Sequence, residues 1–178
     1  YNKIIFFNFD TNQLKIFSKG HRNPGSIFID KNIIISTEHG PRGGDEINLI
    51  KKNGNYGWPI SSYGDLYFSK KKNPYYKKDH KKYGFIEPIY SFVPSIGISC
   101  IIKVPDGFDE YWQDNYLIAS LYGNSIYRVK FDNKYSKILF SEKIFIGERI
   151  RDMKFYKNLI ILSFESGLSL GILEKNLL

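Results

Sequence analysis

Short apolar runs, broken every few residues by polar or turn-forming positions, recur along the whole chain. Ile4 to Phe7, Ile27 to Ile29, Ile33 to Ile35, Ile98 to Ile102, Tyr116 to Ala119 and Leu159 to Leu162 are examples. They are rich in β-branched and aromatic residues, and none keeps a helical period over three turns. The pattern predicts strands near 3–9, 13–17, 25–30, 32–37, 46–51, 85–92, 97–103, 115–120, 124–131, 136–144, 150–156, 158–164 and 168–173. Asp10-Thr11-Asn12, Asp30-Lys31-Asn32, Gly123-Asn124 and Asp132-Asn133 supply tight turns between paired runs. Strands this short and this closely linked imply an antiparallel all-β protein, with sandwich, barrel and propeller all open. Two intervals break the rhythm: a long excursion from Ser61 to Gly84, and Phe108 to Trp112, which fits one helical turn.

Charge changes the picture only locally. The formal net charge is +8 over 178 residues. Much of it lies in Lys70, Lys71, Lys72, Lys77, Lys78, Lys81 and Lys82, with Tyr63, Tyr67, Tyr75, Tyr76 and Tyr83 around them. Basic residues mixed with aromatics can grip single-stranded nucleic acid. Lys, Asn, Ile, Tyr and Phe are abundant everywhere, however, so a solvated loop is the expectation and no nucleic-acid partner is assigned. No run reaches the roughly 20 apolar residues of a membrane span, and no signal peptide is visible. Tyr1 stands close to a strand-like run, so the chain reads as part of something longer. Cys100, the single cysteine, lies in an apolar run and is expected to be a buried small hydrophobe.

The most distinctive stretch runs from Ser36 to Pro59. A strand ending at Ile35 gives way to Glu38-His39-Gly40-Pro41-Arg42-Gly43-Gly44-Asp45-Glu46-Ile47-Asn48, and Asn55-Tyr56-Gly57-Trp58-Pro59 follows. Four backbone-special residues in five positions shape the main chain itself, turning carbonyls and amides toward a common point. Hard cations such as calcium take carbonyl oxygens at about 2.3–2.6 Å, and Gly40-Pro41 can aim two successive carbonyls at one ion. Asp45 and Glu46 are neighbours in a strand and face opposite ways, which leaves Asp45 free to brace the loop.

These residues, 38–48 and 55–59, resemble the signature of the glucose/sorbosone dehydrogenase family, the soluble PQQ-dependent aldose sugar dehydrogenases. The resemblance implies a six-bladed β-propeller holding pyrroloquinoline quinone over calcium at the mouth of its central channel. At about 40–50 residues per blade, this chain would be roughly half a ring, read as one partial propeller domain over 1–178. It further implies that Gly40 and Pro41 give main-chain ligands to the cofactor calcium. Main-chain oxygens of Glu46 and Tyr56 would hold a second, structural calcium, as in some relatives.

Three further places carry the likeness. His21-Arg22-Asn23-Pro24 resembles the family's Arg-Asn-Pro-Gln-Gly, whose Arg and Asn contact the quinone, although Gly25 stands where the Gln is usual. Alternation places Arg149 and Arg151 on one strand face, about 7 Å apart, suited to a polycarboxylate, and the family has Arg-x-Arg-Asp there. A surface salt-bridge ladder with Glu148 and Asp152 is the alternative reading. Tyr122 replaces a family lysine, and Pro94-Ser95 matches a pair at the start of an inner strand. His39 borders the ion-binding turn and either faces the cofactor or serves packing.

The resemblance thus implies the C-terminal part of a periplasmic or secreted sugar dehydrogenase. It would pass hydride from an aldose to calcium-bound PQQ and electrons onward to an acceptor. The catalytic histidine base is expected outside this chain, so this part alone would not turn over. The alternative is a non-catalytic propeller that binds a glycan or protein partner, kept open by Gly25 and Tyr122.

Overall fold

The computed structural model describes residues 2–67, 75–166 and 169–174. The predicted strands form with shifts of a few residues. They are β1 (Lys3–Asn8), β2 (Gln13–Lys19), β3 (Pro24–Asp30), β4 (Ile33–Glu38), β5 (Asp45–Leu49) and a two-residue β6 (Gly54–Asn55). They continue with β7 (Tyr90–Phe92), β8 (Ile98–Lys103), β9 (Tyr116–Ser120), β10 (Ser125–Phe131), β11 (Ile138–Phe145), β12 (Ile150–Tyr156), β13 (Leu159–Phe164) and β14 (Leu170–Glu174). Only 90–92 of the expected 85–92 pairs as a strand, and β6 carries too little pattern to be foreseen. Residues 110–112 make one 3₁₀ turn.

Four sheets follow one another along the chain, in the orders β1-β2-β6, β3-β4-β5-β7, β8-β9-β10-β11 and β12-β13-β14. All pairings are antiparallel except β2 with β6. Hairpin meanders of this kind arise because each strand is followed by a tight turn. The second and third sheets touch through β3, β4 and β8, and the third and fourth through β8, β9 and β12.

In the third sheet β8 and β9 are buried on both faces, as their unbroken apolar runs require, while β11 is largely exposed. Tyr116 and Ile118 of β9 join Ile35, Ile47, Ile98, Ile101, Val129 and Phe131 in one core. Leu117 and Ala119 point the other way, into a second core with Cys100, Ile126, Ile150, Met153, Ile160 and Leu162. Ile98 and Ile101 share a face although three positions apart, because the register slips between them against β9. Cys100 is free and buried, as expected, and burial pushes its thiol up to about 12.

One carboxylate ties the second sheet to the third. Asp45, at the start of β5, accepts hydrogen bonds through Oδ1 from the Gly40 amide (3.1 Å) and the Ser95 hydroxyl (2.8 Å). Its Oδ2 accepts from the amides of Ile96 (3.1 Å) and Ile98 (2.9 Å). The next residue, Glu46, turns to the opposite side, as strand alternation dictates.

The described ends of the 61–84 excursion are packed in part, while Lys77, Lys81, Lys82, Tyr67, Tyr75 and Tyr83 are exposed, as a solvated loop requires. Lys70, Lys71 and Lys72 lie outside the described residues. Ser61, Ser62, Tyr76 and His80 are buried, and departing and returning chains are stitched by Ser62 N to Lys77 O and Lys77 N to Ile60 O, both 3.0 Å. His80 sits 3.6 Å from Glu46 and 3.8 Å from Glu87, with the Tyr63 ring against it at 5.1 Å. Burial holds its imidazole below the ordinary 6.5, against the opposing pull of Glu87, Glu38 and Asp79.

Two outcomes follow. Asp45→Ala strands three buried amides and a hydroxyl, so denaturant unfolding should show a loss of about 3–5 kcal/mol, whereas Asp45→Asn, which keeps one acceptor oxygen, should lose about half of that. The unfolded chain protonates His80 near pH 6.5 and the folded chain only at lower pH, so proton uptake favours unfolding below 6.5. Wild type should therefore lose stability relative to His80→Gln as pH falls through that range, and the two should run parallel above it.

Candidate cofactor site

The turn between β4 and β5 is built from backbone that only glycine permits. A Cβ on Gly40 would stand 2.2 Å from the Gly44 oxygen, and Gly44, at φ +72°, would drive one to 2.3 Å from the Gly64 nitrogen. Gly40 and Pro41 are both buried, and neither main-chain oxygen accepts a hydrogen bond from a described residue. Carbonyls of this kind, in a turn whose amide is anchored by Asp45, are the type of ligand that hard cations take.

Arg22 crosses over this turn. Its amide donates to Glu38 Oε2 (3.0 Å) and its Nη1 to the His39 carbonyl (2.9 Å), while the guanidinium lies 5.4 Å over the Trp58 ring. Its Nε is buried without a partner. Asn23 contributes its carbonyl, which accepts the His39 amide at 3.1 Å; its side chain is exposed. His39 has Nδ1 3.9 Å from Asp45 Oδ1 and a side chain 27% exposed. Burial lowers its imidazole below 6.5, Asp45 opposes, and the charges of Arg22 and Arg151 lower it further.

Arg149 and Arg151 share a strand face, and both donate to Glu165, Arg149 through Nε and Arg151 through Nη2. The alternative reading, a ladder with Glu148 and Asp152, does not form among the described residues; this one acid takes both arginines and is itself held below the usual carboxylate range by them. Both arginines are about half exposed. The Ser99 hydroxyl of β8 donates to the Ile150 carbonyl between them (2.7 Å), fixing the strand start against the third sheet.

Beneath the turn lies a layer that sequence reasoning missed. Glu38 and Glu46 are cross-strand partners, and Asn48 Nδ2 donates to both, at 2.8 and 3.2 Å. His21 is fully buried, 3.7 Å from Glu38, with Nε2 on the Ser18 hydroxyl at 2.8 Å. Burial and then Glu38 raise the Glu46 carboxyl well above its usual range. Tyr56 stacks on His21 at 4.5 Å, donates to Leu49 O (2.6 Å) and accepts from Lys51 N (2.9 Å). Burial pushes its phenol up to about 12. The period-two spacing of Glu46 and Asn48 was a usable signal for this layer; His21 and His80 gave none.

Arg22, Glu38, His39, Gly40, Gly44, Glu46, Tyr56 and Trp58 line one narrow cleft. Asn23, Pro41, Arg149 and Arg151 lie outside its lining. Roomier hollows, of about 340 and 460 Å³, lie around Tyr116 and Tyr135 and contain none of the candidate residues. No group of three or more His, Cys, Asp or Glu side chains among the described residues is placed to hold a metal. An ion at the turn would depend on main-chain oxygen.

Comparison with known proteins bears on the family and the fold. The sequence profile of the family described as Glucose / Sorbosone dehydrogenase matches residues 5–167. The aldose sugar dehydrogenase YliI of Escherichia coli is 31% identical over 144 residues, 79% of this chain and 38% of that protein. Quinoprotein glucose dehydrogenase B of Acinetobacter calcoaceticus is 50% identical over 52 residues, 28% of this chain and 11% of that protein. A crystal structure of a glucose dehydrogenase superposes with a TM-score of 0.77 at 28% identity, covering 90% of this chain and 46% of that one. The chain spans well under half the length of these relatives. Its consecutive four- and three-stranded sheets are about half of a six-bladed antiparallel β-propeller. The chain belongs to the Glucose / Sorbosone dehydrogenase family.

Proposed function

We propose that residues 1–178 form the quinone- and calcium-binding part of a sugar dehydrogenase that oxidises an aldose at its anomeric carbon. The observation that carries this reading is the turn at 39–44, where the buried residues Gly40 and Pro41 have carbonyls to which no described residue donates, beside Arg22, whose Nε is buried with no partner among the described residues. Pyrroloquinoline quinone carries three carboxylates, and guanidinium forks satisfy such groups bidentately. Arg22, Arg149 and Arg151 supply the cations, with Glu165 as the acid that holds two of them in place until the cofactor competes for them. When bound, the calcium acts as a Lewis acid and the quinone as the hydride acceptor.

The chain's own residues bind and orient. Gly40 and Pro41 would offer carbonyls to the ion. Arg22, Asn23, Arg149 and Arg151 would meet the acidic quinone, and His39, neutral near pH 7 through its lowered pKa, would face it as a hydrogen-bonding partner. Glu46 and Tyr56, both on the cleft, would give main-chain oxygens to a structural calcium. No base for the sugar's anomeric hydroxyl is assigned here. His21 and His80 are sealed in the interior, and His39 sits against Asp45 under Arg22. That base, and with it turnover, would come from another part of the ring. The sugar and an external electron acceptor are the proposed partners, and a periplasmic or secreted location suits the reading. Among the described residues no helix is long and apolar enough to cross a membrane.

A second reading, a non-catalytic ring that binds a glycan or protein, draws on Gly25 and Tyr122, which replace a family amide and a family cation. Titrating the full polypeptide with quinone and calcium, followed by absorbance, separates the two. The enzyme reading predicts saturable uptake that is abolished by a calcium chelator and restored by added calcium. Arg22→Ala and Arg151→Ala should each weaken uptake about tenfold or more. Arg151→Ala should change unfolding free energy by less than about 1 kcal/mol, since its ion pair is half exposed. Glycan binding with no quinone uptake would favour the second reading, and equal loss of stability without loss of affinity would remove Arg151 from the site.

A further inference from the structure

The 61–84 excursion, whose Ser61 and Ser62 also line the cleft, makes a second turn that presses on the first. Gly64 has no room for a side chain, since a Cβ there would stand 2.3 Å from Gly43 O and 2.8 Å from Pro41 Cδ. Two hydrogen bonds zip the segments together, Arg42 N to Asp65 O at 3.0 Å and Asp65 N to Arg42 O at 2.8 Å. Three oxygens of this backing turn converge on one ammonium. Lys78 Nζ donates to Tyr63 O (3.0 Å), to Gly64 O and to Asp65 Oδ1 (2.9 Å). An ammonium has three protons and no more, so this group is saturated by a single four-atom site.

A surface ion pair alone would mean little, because Lys78 is 36% and Asp65 63% exposed in their side chains. Two of the three acceptors are main-chain carbonyls, however, and their directions set the plane of the peptides that meet Arg42. Lys78 is also held from behind, because the adjacent Lys77 carbonyl takes the Ser61 hydroxyl at 2.7 Å and the Ser62 amide at 3.0 Å. The ammonium therefore does for residues 63–65 what a bound cation does for a carbonyl cage, and it does so permanently.

We propose that Lys78 is a positioning residue for the ion site. By fixing the turn at 63–65 it holds Pro41 and Arg42, and so presets the carbonyls of Gly40 and Pro41 before any ion arrives. This rests on the calcium reading of that turn. The excursion then serves as a buttress, and the ordering it provides is an entropy that the incoming ion need not supply.

The test uses the full polypeptide with Lys78→Met, which keeps the stem and removes the donors, and Lys78→Arg, which keeps the charge in a planar fork. Amide hydrogen exchange reads the buttress without any cofactor. Exchange at Arg42 and Asp65 should quicken about tenfold in Lys78→Met while Ile118 in the core stays protected. The calcium concentration for half-maximal quinone uptake should rise about tenfold in Lys78→Met and by less in Lys78→Arg, with the unfolding midpoint little changed. Unchanged exchange at Arg42 and Asp65 in Lys78→Met would overturn the inference whatever the cofactor does. Normal uptake in wild type with the same calcium dependence in Lys78→Met would overturn it as well. Wild type that takes up no quinone at any calcium concentration would overturn the functional reading and, with it, the role assigned to Lys78.

Discussion

The Asp45 carboxylate is the constraint on which the candidate site depends. Four hydrogen bonds converge on it, one from the glycine turn and three from the segment that leads into β8. Hydrogen bonds to an ionised acceptor are roughly twice as strong as neutral ones, and here all the donors are main-chain amides or a short hydroxyl with little freedom to relax. The turn that carries Gly40 and the start of the neighbouring sheet therefore cannot move independently. Everything above the turn inherits that fixity. Arg22 rests on the His39 carbonyl, His39 leans on Asp45, and β12 is held to β8 by Ser99.

Charge is layered around this anchor. Arg22 lines the cleft, and buried acids lie beside it, where Glu38 and Glu46 share Asn48 and face His21 and His80. Two carboxylates in one desolvated space cannot both ionise at low cost, and the raised Glu46 expresses that conflict. On the His80 side, burial lowers the imidazole's pKa and so disfavours the cation that would relieve it. The result is a buried polar layer with the Arg22 guanidinium beside it.

Legibility followed the range of the interaction. Nearly every strand was visible because apolar alternation and turn residues are local, and the sheets follow from hairpin order. The slip between Ile98 and Ile101 was not visible, since it depends on registry with β9. The motif at 38–48 announced a shaped backbone, and strand alternation separated Asp45 from Glu46. The partners of Asp45 lie some fifty positions further on, at Ser95, Ile96 and Ile98, and no spacing rule reaches them. Glu165 was missed for the same reason, and it displaced Glu148 and Asp152 as the partner of the arginines. In the excursion, lysine-rich composition suggested solvent, and Lys77, Lys81 and Lys82 are exposed, but Tyr76 and His80 are buried and decide how its ends pack. Composition averages over a segment; burial is settled residue by residue.

The central claim is that the carbonyls of Gly40 and Pro41 are ion ligands held ready by the fold. A crystal structure of the full polypeptide grown with calcium, with the ion located by its anomalous scattering, addresses it most directly. The account predicts one ion within about 2.3–2.6 Å of both oxygens, on the Arg22 side of the turn. Carbonyls of residues 40 and 41 turned away from Arg22, with calcium absent from the turn, would contradict it.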